Sequence, residues 1–297
     1  MKYADADAFR AALEQRLRTR AQQRNVEISR LRKQVVFDRL LARLLTVAPE
    51  RYVLKGGYAL DLRLGDRARS TQDIDLAIAG SLDAVIDDLA AVDAIGMDDY
   101  FSFIVTRTTA LDNLDAATAA RFRVQARLAG RRFEQFNLDI GVGSAERQAY
   151  DLVEGQDLVA FAGLPPLLIP TVVIERHVAE KIHAYSRVYA DDRQSTRVKD
   201  LVDLVLVGEE VAIVAGPLAL AIDLVFAARA GHPVPTYLTQ PPSTWTARYP
   251  SLADEVGIAP DIQTGWNAAS AFLNPVLGSE VAPDAVWSPD DQRWVVR

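Results

Sequence analysis

The sequence contains no cysteine and only three histidines among its 297 residues. Without cysteine there is no disulfide framework, no thiol nucleophile and no thiolate zinc site. The chain also lacks a GxxxxGK[ST] loop, a GxGxxG between a strand and a helix, and an HExxH motif. A P-loop ATPase, a Rossmann dehydrogenase and a zincin are therefore all disfavoured.

Long apolar runs are absent as well. The first residues are acidic and polar, which disfavours a signal peptide. The most apolar stretch, Val205–Ala228, is interrupted by Glu209, Glu210, Pro217 and Asp223, so we expect no membrane span. A folded cytoplasmic protein is the resulting prediction.

The charge of the chain is unevenly distributed. The net charge is −7, from 33 basic and 40 acidic residues, yet residues 1–69 contain 16 basic and only 8 acidic side chains. A basic segment of this kind can bind one polyanion. A solvated helix surface explains the same composition, so both interpretations stay open.

Hydrophobic periodicity predicts a change of architecture along the chain. Helices are predicted over Asp5–Val47, with breaks at Asn25 and Ser29, and over residues 81–96. Strands are predicted at Tyr52–Leu54, Thr71–Ala77, Phe101–Arg107, Arg121–Leu128 and Phe133–Val142, with a hairpin turn at Gly130–Arg132. After a soft boundary near residue 160, the predicted segments are helical: Val172–Tyr189, Thr196–Val207, Pro217–Ala230, Ser251–Val256 and Trp266–Leu273. The prediction is an α+β domain with a small mixed sheet over 1–160 and a helical domain over 161–297.

Two carboxylates on one predicted strand are the first candidate site. Side chains alternate faces along a strand, so Asp73 and Asp75 point the same way. Carboxylates and phosphate oxygens are ligands that Mg²⁺ prefers, so the pair suits a metal–nucleotide site, although a solvated acidic strand has the same pattern. Asp139, on the polar face of Phe136–Ile140, offers a third acid if that strand pairs nearby, the arrangement used for in-line nucleotidyl transfer.

Other residues fit the same chemistry. Gly56 and Gly57 join an extended segment to a helix, where backbone N–H groups can approach phosphates closely. Lys181 lies on a predicted helix and could bind a phosphate as a point charge, or be a surface lysine. Asp200 and Asp203 lie one turn apart on the next helix, where they could instead pair with Lys or Arg.

These residues together resemble the AbiEii-type nucleotidyltransferase toxins, which include the MenT toxins of toxin–antitoxin pairs. The resemblance covers about residues 30 to 206 and rests on five motifs in order: Leu54-Lys55-Gly56-Gly57-x-Ala59-Leu60, Arg69-Ser70-Thr71-x-Asp73-Ile74-Asp75, Leu138-Asp139-Ile140, Glu180-Lys181-Ile182-x-Ala184 and Arg197-x-x-Asp200-x-x-Asp203-Leu204.

The resemblance implies a polymerase-β-like nucleotidyltransferase domain, a helical C-terminal domain and Mg²⁺-dependent transfer of NMP from an NTP. It implies that Asp73 and Asp75 are metal ligands, that Lys181 contacts the triphosphate, and that Asp203 is a catalytic acid. Asp139 would be a third metal ligand, and Gly56, Gly57, Ser70 and Thr71 would line the phosphates.

The resemblance also implies partners: an antitoxin protein, and tRNA whose 3′ acceptor end would be modified, which would block translation. We expect a monomer that contacts the RNA backbone through basic residues 16–39 and through Arg121, Arg123 and Arg127. Two alternatives remain: a nucleotidyltransferase that acts on a protein or a small molecule, and a non-catalytic module that binds GTP or an antitoxin.

Overall fold

A computed structural model describes residues 2–108, 120–142, 149–187, 197–229 and 231–296. The chain forms two compact units. The first contains Met1–Asp66 and Ser70–Val172, and the second contains Arg67–Arg69 and Val173–Arg297. The predicted ends of three helices, at 188–189, 196 and 230, lie outside the described residues.

The first unit begins with two long helices, α1 (Ala6–Arg24) and α2 (Ile28–Val47). The Asp5 carboxylate caps α1 by accepting from the backbone N–H of Ala8 at 2.7 Å, and Asn25 ends that helix in the left-handed conformation. The left-handed conformation of Asn25 confirms the break predicted there, whereas Ser29, the other predicted break, lies inside α2. Shorter helices follow at α3 (Gly56–Leu64) and α4 (Leu82–Ala91).

A mixed sheet of seven strands is the centre of the described part of the first unit. Its strands are β1 (Tyr52–Lys55), β2 (Asp73–Ile78), β3 (Phe101–Arg107), β4 (Ala120–Leu128), β5 (Arg131–Val142), β6 (Tyr150–Glu154) and β7 (Leu168–Val172). The spatial order is β3-β4-β5-β2-β1-β7-β6. β2 pairs with β5 and β1 with β7 in parallel, and the other pairs are antiparallel.

The two faces of this sheet differ in chemistry because side chains alternate along each strand. One face carries Leu54, Ile74, Leu76, Leu138 and Ile140, which belong to the same buried core as the apolar sides of α1 and α2. The other face carries the polar residues of β2, β4 and β5. Packing one face against helices therefore directs the predicted acids to the opposite face.

The second unit is mainly helical in the residues described. Its helices are α5 (Ile174–Ser186), α6 (Val198–Glu210), α7 (Ala215–Arg229), α8 (Tyr249–Val256) and α9 (Ile262–Leu277), and a hairpin of β8 (Val286–Ser288) and β9 (Arg293–Val295) follows. α6 is buried on nearly all sides and contacts α5, α8 and α9. The Trp287 indole N–H donates to the carbonyl oxygen of Gly208 at 2.7 Å, which attaches the hairpin to α6. None of the helices described is long and apolar enough to cross a membrane.

The structure confirms the α+β class with a mixed sheet and corrects several details. The helix predicted over 81–96 ends at Ala91, before a 3-10 turn. The hairpin turn lies at Ala129 and Gly130, whose φ values of 53° and 70° suit a two-residue turn, so Arg131 is already in β5. The first unit extends to Val172, beyond residue 160, because β7 pairs with β1.

Candidate active site

Asp73 and Asp75, which we call the diacid pair, lie two residues apart on β2 and on the same face of the sheet. Both are half-buried. Asn137 lies opposite Asp73 on β5, and its side-chain N–H donates to Asp73 Oδ1 at 3.0 Å. This bond orients one carboxylate of the pair while leaving its second oxygen available for another ligand.

The backbone at Gly56 approaches the second carboxylate very closely. A Cβ added at Gly56 would lie 1.9 Å from Asp75 Oδ2, and the φ of this residue is +68°. Only glycine satisfies both conditions without strain. Because Gly56 is the first residue of α3, the Asp75 carboxylate lies at the positive end of a helix.

Asp139 lies directly opposite Asp75 in the parallel register of β2 and β5. This placement confirms the expected pairing of the two strands. The carboxylate is, however, bound on both oxygens by Arg121 of β4: Nε donates to Oδ1 and Nη2 donates to Oδ2, each at 2.6 Å. Asp139 is 6% exposed, so its charge is balanced mainly by this pair.

The predicted phosphate-lining residues lie around the start of β2 and α3. The Thr71 hydroxyl donates to the backbone carbonyl of Asp73 at 3.2 Å, which fixes the turn before the strand. Ser70 and Thr71 are half-buried, whereas Gly57 is buried inside the first turn of α3.

A second cluster of charged side chains lies within the second unit. Lys181 of α5 donates from Nζ to Asp203 Oδ2 at 2.5 Å and to Asp200 Oδ1 at 3.4 Å. Arg69 donates from Nε and Nη2 to the two oxygens of Asp203, at 3.0 and 3.1 Å. Asp203 therefore bridges two cations, and Lys181 is buried rather than on the surface.

The electrostatics of this cluster favour a charged carboxylate. Burial alone would raise the pKa of Asp203, but the charges and hydrogen bonds of Lys181 and Arg69 outweigh it, and the pKa lies below its usual value. Burial likewise disfavours the charged form of Arg69, but Asp203 holds the pKa of Arg69 above its usual value. The pKa shifts of Asp203 and Arg69 therefore both favour their charged forms.

Several of the basic residues predicted to bind RNA are buried or form ion pairs within the first unit. Arg30 pairs with Asp61 in a buried bridge, and Arg32 pairs with Glu14 at 2.5 Å. Arg39 is buried. Arg121 is committed to Asp139, whereas Arg123 on the same strand is exposed.

The donor chemistry around the diacid pair fits a divalent cation. Two carboxylates on one face, beside a glycine at a helix start, provide the oxygen ligands that Mg²⁺ takes together with substrate phosphates. Among the residues described, no three His, Asp or Glu side chains form a group that could hold a metal ion. A cation at this position would thus take its protein ligands from the two carboxylates of β2.

Comparisons with known proteins identify the family of the chain. A family model described as nucleotidyl transferase AbiEii toxin of type IV toxin–antitoxin systems matches residues 39–275. The chain belongs to the AbiEii family. It is therefore a nucleotidyltransferase toxin of the type IV toxin–antitoxin class.

The solved structure of a toxin shares the fold of this AbiEii protein. MenT4, a nucleotidyltransferase toxin from Mycobacterium tuberculosis H37Rv, is 20% identical with a TM-score of 0.58, and the match covers 95% of this chain and 92% of that one. JHP933 from Helicobacter pylori is 14% identical with a TM-score of 0.44, covering 84% and 93% of the two chains. No curated protein matches the chain.

Three residues make contacts with the predicted acids that the sequence did not indicate. Asn137 and Arg121 bind the acids of β2 and β5, and Arg69 binds Asp203 across 134 residues of sequence. For Arg69, the only sequence signal of a functional role was its place at the start of the motif that contains the diacid pair. The roles predicted for the acids, for Lys181 and for the glycines stay predictions.

Proposed function

We propose that this AbiEii protein transfers a nucleoside monophosphate from an NTP to an RNA hydroxyl, at the 3′ acceptor end of tRNA, and thereby blocks translation. The observation that carries the proposal is the diacid pair of β2, held beside the start of α3 by a glycine that no other residue can replace without strain. The family membership supplies the reaction class.

In this proposal Asp73 and Asp75 hold Mg²⁺ and the NTP. When bound, Mg²⁺ neutralises triphosphate charge and lowers the pKa of an attacking hydroxyl. Asn137 keeps Asp73 in one orientation. The backbone N–H groups at Gly56 and Gly57 provide donors for phosphate oxygens. Ser70 and Thr71 would line the same phosphates, and the Thr71 hydroxyl would have to exchange its bond to the Asp73 carbonyl for one to phosphate.

Lys181 and Asp203 have proposed roles that come from the family resemblance, as a triphosphate contact and a catalytic acid. The buried contact between them supports a coupled role, because the carboxylate fixes the ammonium group in one position. Arg69 holds the same carboxylate from its other side. We infer that Arg69 is a positioning residue for this pair.

A protein or small-molecule acceptor is the second candidate. The observation in its favour is that Arg30, Arg32 and Arg121 are engaged in ion pairs within the first unit, which reduces the positive charge available to an RNA backbone. The net charge of −7 acts in the same direction. Arg123 and the rest of the basic segment remain as candidates for RNA contacts.

The test is a labelling reaction with each α-³²P NTP, Mg²⁺ and total tRNA, with parallel reactions that contain protein extract or small molecules and no RNA. We expect one NTP to label tRNA with the wild type and with Asp83→Asn, an exposed acid of α4, and no label with Asp73→Asn. Label on protein or a small molecule alone would select the second candidate. Undiminished labelling by Asp73→Asn would refute the proposed site.

The toxicity of this protein, which its partner would counteract, has a cellular test. Membership in a type IV toxin–antitoxin family implies an antitoxin, and we propose that this protein has one. Expression of the wild type should arrest growth, and Asp73→Asn should not. Arrest by both proteins at equal expression would show that the diacid pair is not the source of toxicity.

A further inference from the structure

The strand register places four charged residues in one row across the sheet. Arg121 lies opposite Asp139, Asp139 opposite Asp75, and Asp75 opposite Lys55, on the adjacent strands β4, β5, β2 and β1. Directly opposite residues on neighbouring strands project from the same face. A basic residue therefore lies at each end of the row, and Asp139, the acid next to Asp75, is paired with Arg121.

The bond between Arg121 and Asp139 uses both carboxylate oxygens. A guanidinium fork with two parallel bonds of 2.6 Å is among the strongest side-chain contacts for a carboxylate. It uses one lone pair of each oxygen and orients the carboxylate towards Arg121, which disfavours Asp139 as a metal ligand. Among the residues described, Asp73, Asp75 and Asp139 do not form a group of three that could hold a metal ion.

We propose that Arg121 is a positioning residue: by binding both oxygens of Asp139, it prevents this carboxylate from ligating a cation at the diacid pair. The protein then supplies two carboxylate ligands to the divalent cation, and the nucleotide supplies further ligands. This inference rests on the proposed function, in which Asp73 and Asp75 hold the cation. It replaces the predicted role of Asp139 as a third metal ligand.

The consequence is a site that binds little metal until the nucleotide is present. Mg²⁺ is commonly bound through one or two carboxylates together with substrate phosphates, whereas additional carboxylates increase the affinity of the protein alone. The Arg121 side chain is 30% exposed, on the face of the sheet where the triphosphate would bind.

Removal of Arg121 tests the inference because it frees Asp139 beside Asp75. We expect Arg121→Ala to bind Mn²⁺ about tenfold more tightly than the wild type without nucleotide, since a third carboxylate becomes available. Mn²⁺ replaces Mg²⁺ as the probe, and free Mn²⁺ is measured by electron paramagnetic resonance. Arg121→Lys keeps the charge but cannot form the two-bond fork, so its Mn²⁺ affinity should lie between those of the wild type and Arg121→Ala.

A charge-matched control separates ligation from a general change of field. Arg123 lies on the same face of β4 and opposite Asn137, so it stands in the same relation to Asp73 as Arg121 does to Asp75. Arg123→Ala removes one positive charge but frees no carboxylate, and should change Mn²⁺ affinity less than about threefold. The double variant Arg121→Ala/Asp139→Asn should return to the wild-type affinity.

Asp139→Asn alone gives a test that does not depend on removing the arginine. It should leave Mn²⁺ affinity within about threefold of the wild type, whereas Asp75→Asn should weaken it at least tenfold. Equal losses in Asp139→Asn and Asp75→Asn would overturn the inference, as would equal affinities of Arg121→Ala and Arg123→Ala. If Asp73→Asn and Asp75→Asn bind Mn²⁺ as the wild type does, the proposed function itself fails.

Discussion

Asp203 is expected to be a major contributor to the stability of the second unit. Its carboxylate is 1% exposed and accepts hydrogen bonds from Lys181 and Arg69. Asp203→Asn keeps the shape of the side chain and removes the charge, which leaves two cations facing a neutral amide. Asp200 still lies 3.4 Å from Lys181 and offsets part of this cost.

The expected loss is about 3 kcal/mol, the lower end of the range for breaking a buried ion pair from one side. For a protein of this size that corresponds to a fall in Tm of roughly 6–12 °C. Asp223→Asn is the matched control, because it makes the same change at an exposed position of α7 and should alter stability by less than about 0.5 kcal/mol.

Tryptophan fluorescence during urea unfolding is a suitable assay. All four tryptophans lie between residues 245 and 294, so the signal reports on the second unit. Because the folded-state pKa of Asp203 lies below its usual value of 3.8, its stabilisation is complete above about pH 5. The difference between the wild type and Asp203→Asn should therefore shrink as the pH falls through 4 and towards the folded-state pKa.

Two results would refute this reasoning. One is a stability of Asp203→Asn at pH 7 equal to that of Asp223→Asn, which would mean that the buried contacts contribute nothing. The other is a stability difference that stays constant between pH 7 and pH 3, which would mean that the charge of the carboxylate is not the source of the effect.

Three further substitutions test other parts of the structure. Gly56→Ala should abolish nucleotidyl transfer because its Cβ would displace the diacid pair. Gly65→Ala is the control: its φ is +57° and nothing lies within 4 Å of its Cβ, so it should only lose about 1–2 kcal/mol of stability from backbone strain. Equal activities of the two variants would contradict this. Asn137→Ala should lower kcat by about one to two orders of magnitude through loss of its bond to the diacid pair, and Gln135→Ala on the same strand should not; circular dichroism of both variants checks the fold. Burial raises the pKa of Asp38 to about 6, so the wild type should lose on the order of 2 kcal/mol between pH 4 and pH 6 as this acid ionises. Asp38→Asn should lack that loss in urea titrations followed by circular dichroism, and a parallel loss in the variant would exclude this acid as the cause.

The sequence indicated the centre of the fold because local signals agree there. Alternation along β2 and β5 placed the acids on one face and Ile74 and Leu138 in the core, and the structure bears this out. The glycines between β1 and α3 predicted a close approach to phosphate, which stays a prediction, and the sequence did not indicate that Gly56 lies against Asp75. Lys181 was ambiguous, because helical periodicity does not reveal which neighbour covers a residue.

Other parts depended on contacts between distant segments. The boundary predicted near residue 160 would leave Pro170 outside the first domain, yet Pro170 lies within β7, which pairs with β1 in the sheet. The partner of Asp139 was unpredictable, because an arginine on an alternating strand looks the same whether it meets solvent or a carboxylate. The hairpin of β8 and β9 was missed because each strand has only three residues.

The central claim, that the diacid pair performs NMP transfer to tRNA, is tested most directly by the mass of the 3′-terminal tRNA fragment. The fragment is analysed after incubation of total tRNA with Mg²⁺ and each unlabelled NTP in turn, with the wild type, Asp73→Asn or Asp83→Asn. We predict that one NTP adds the mass of one or more nucleoside monophosphates with the wild type and Asp83→Asn, and that Asp73→Asn adds none. An unchanged fragment with the wild type and every NTP, or an equal gain with Asp73→Asn, would contradict the account.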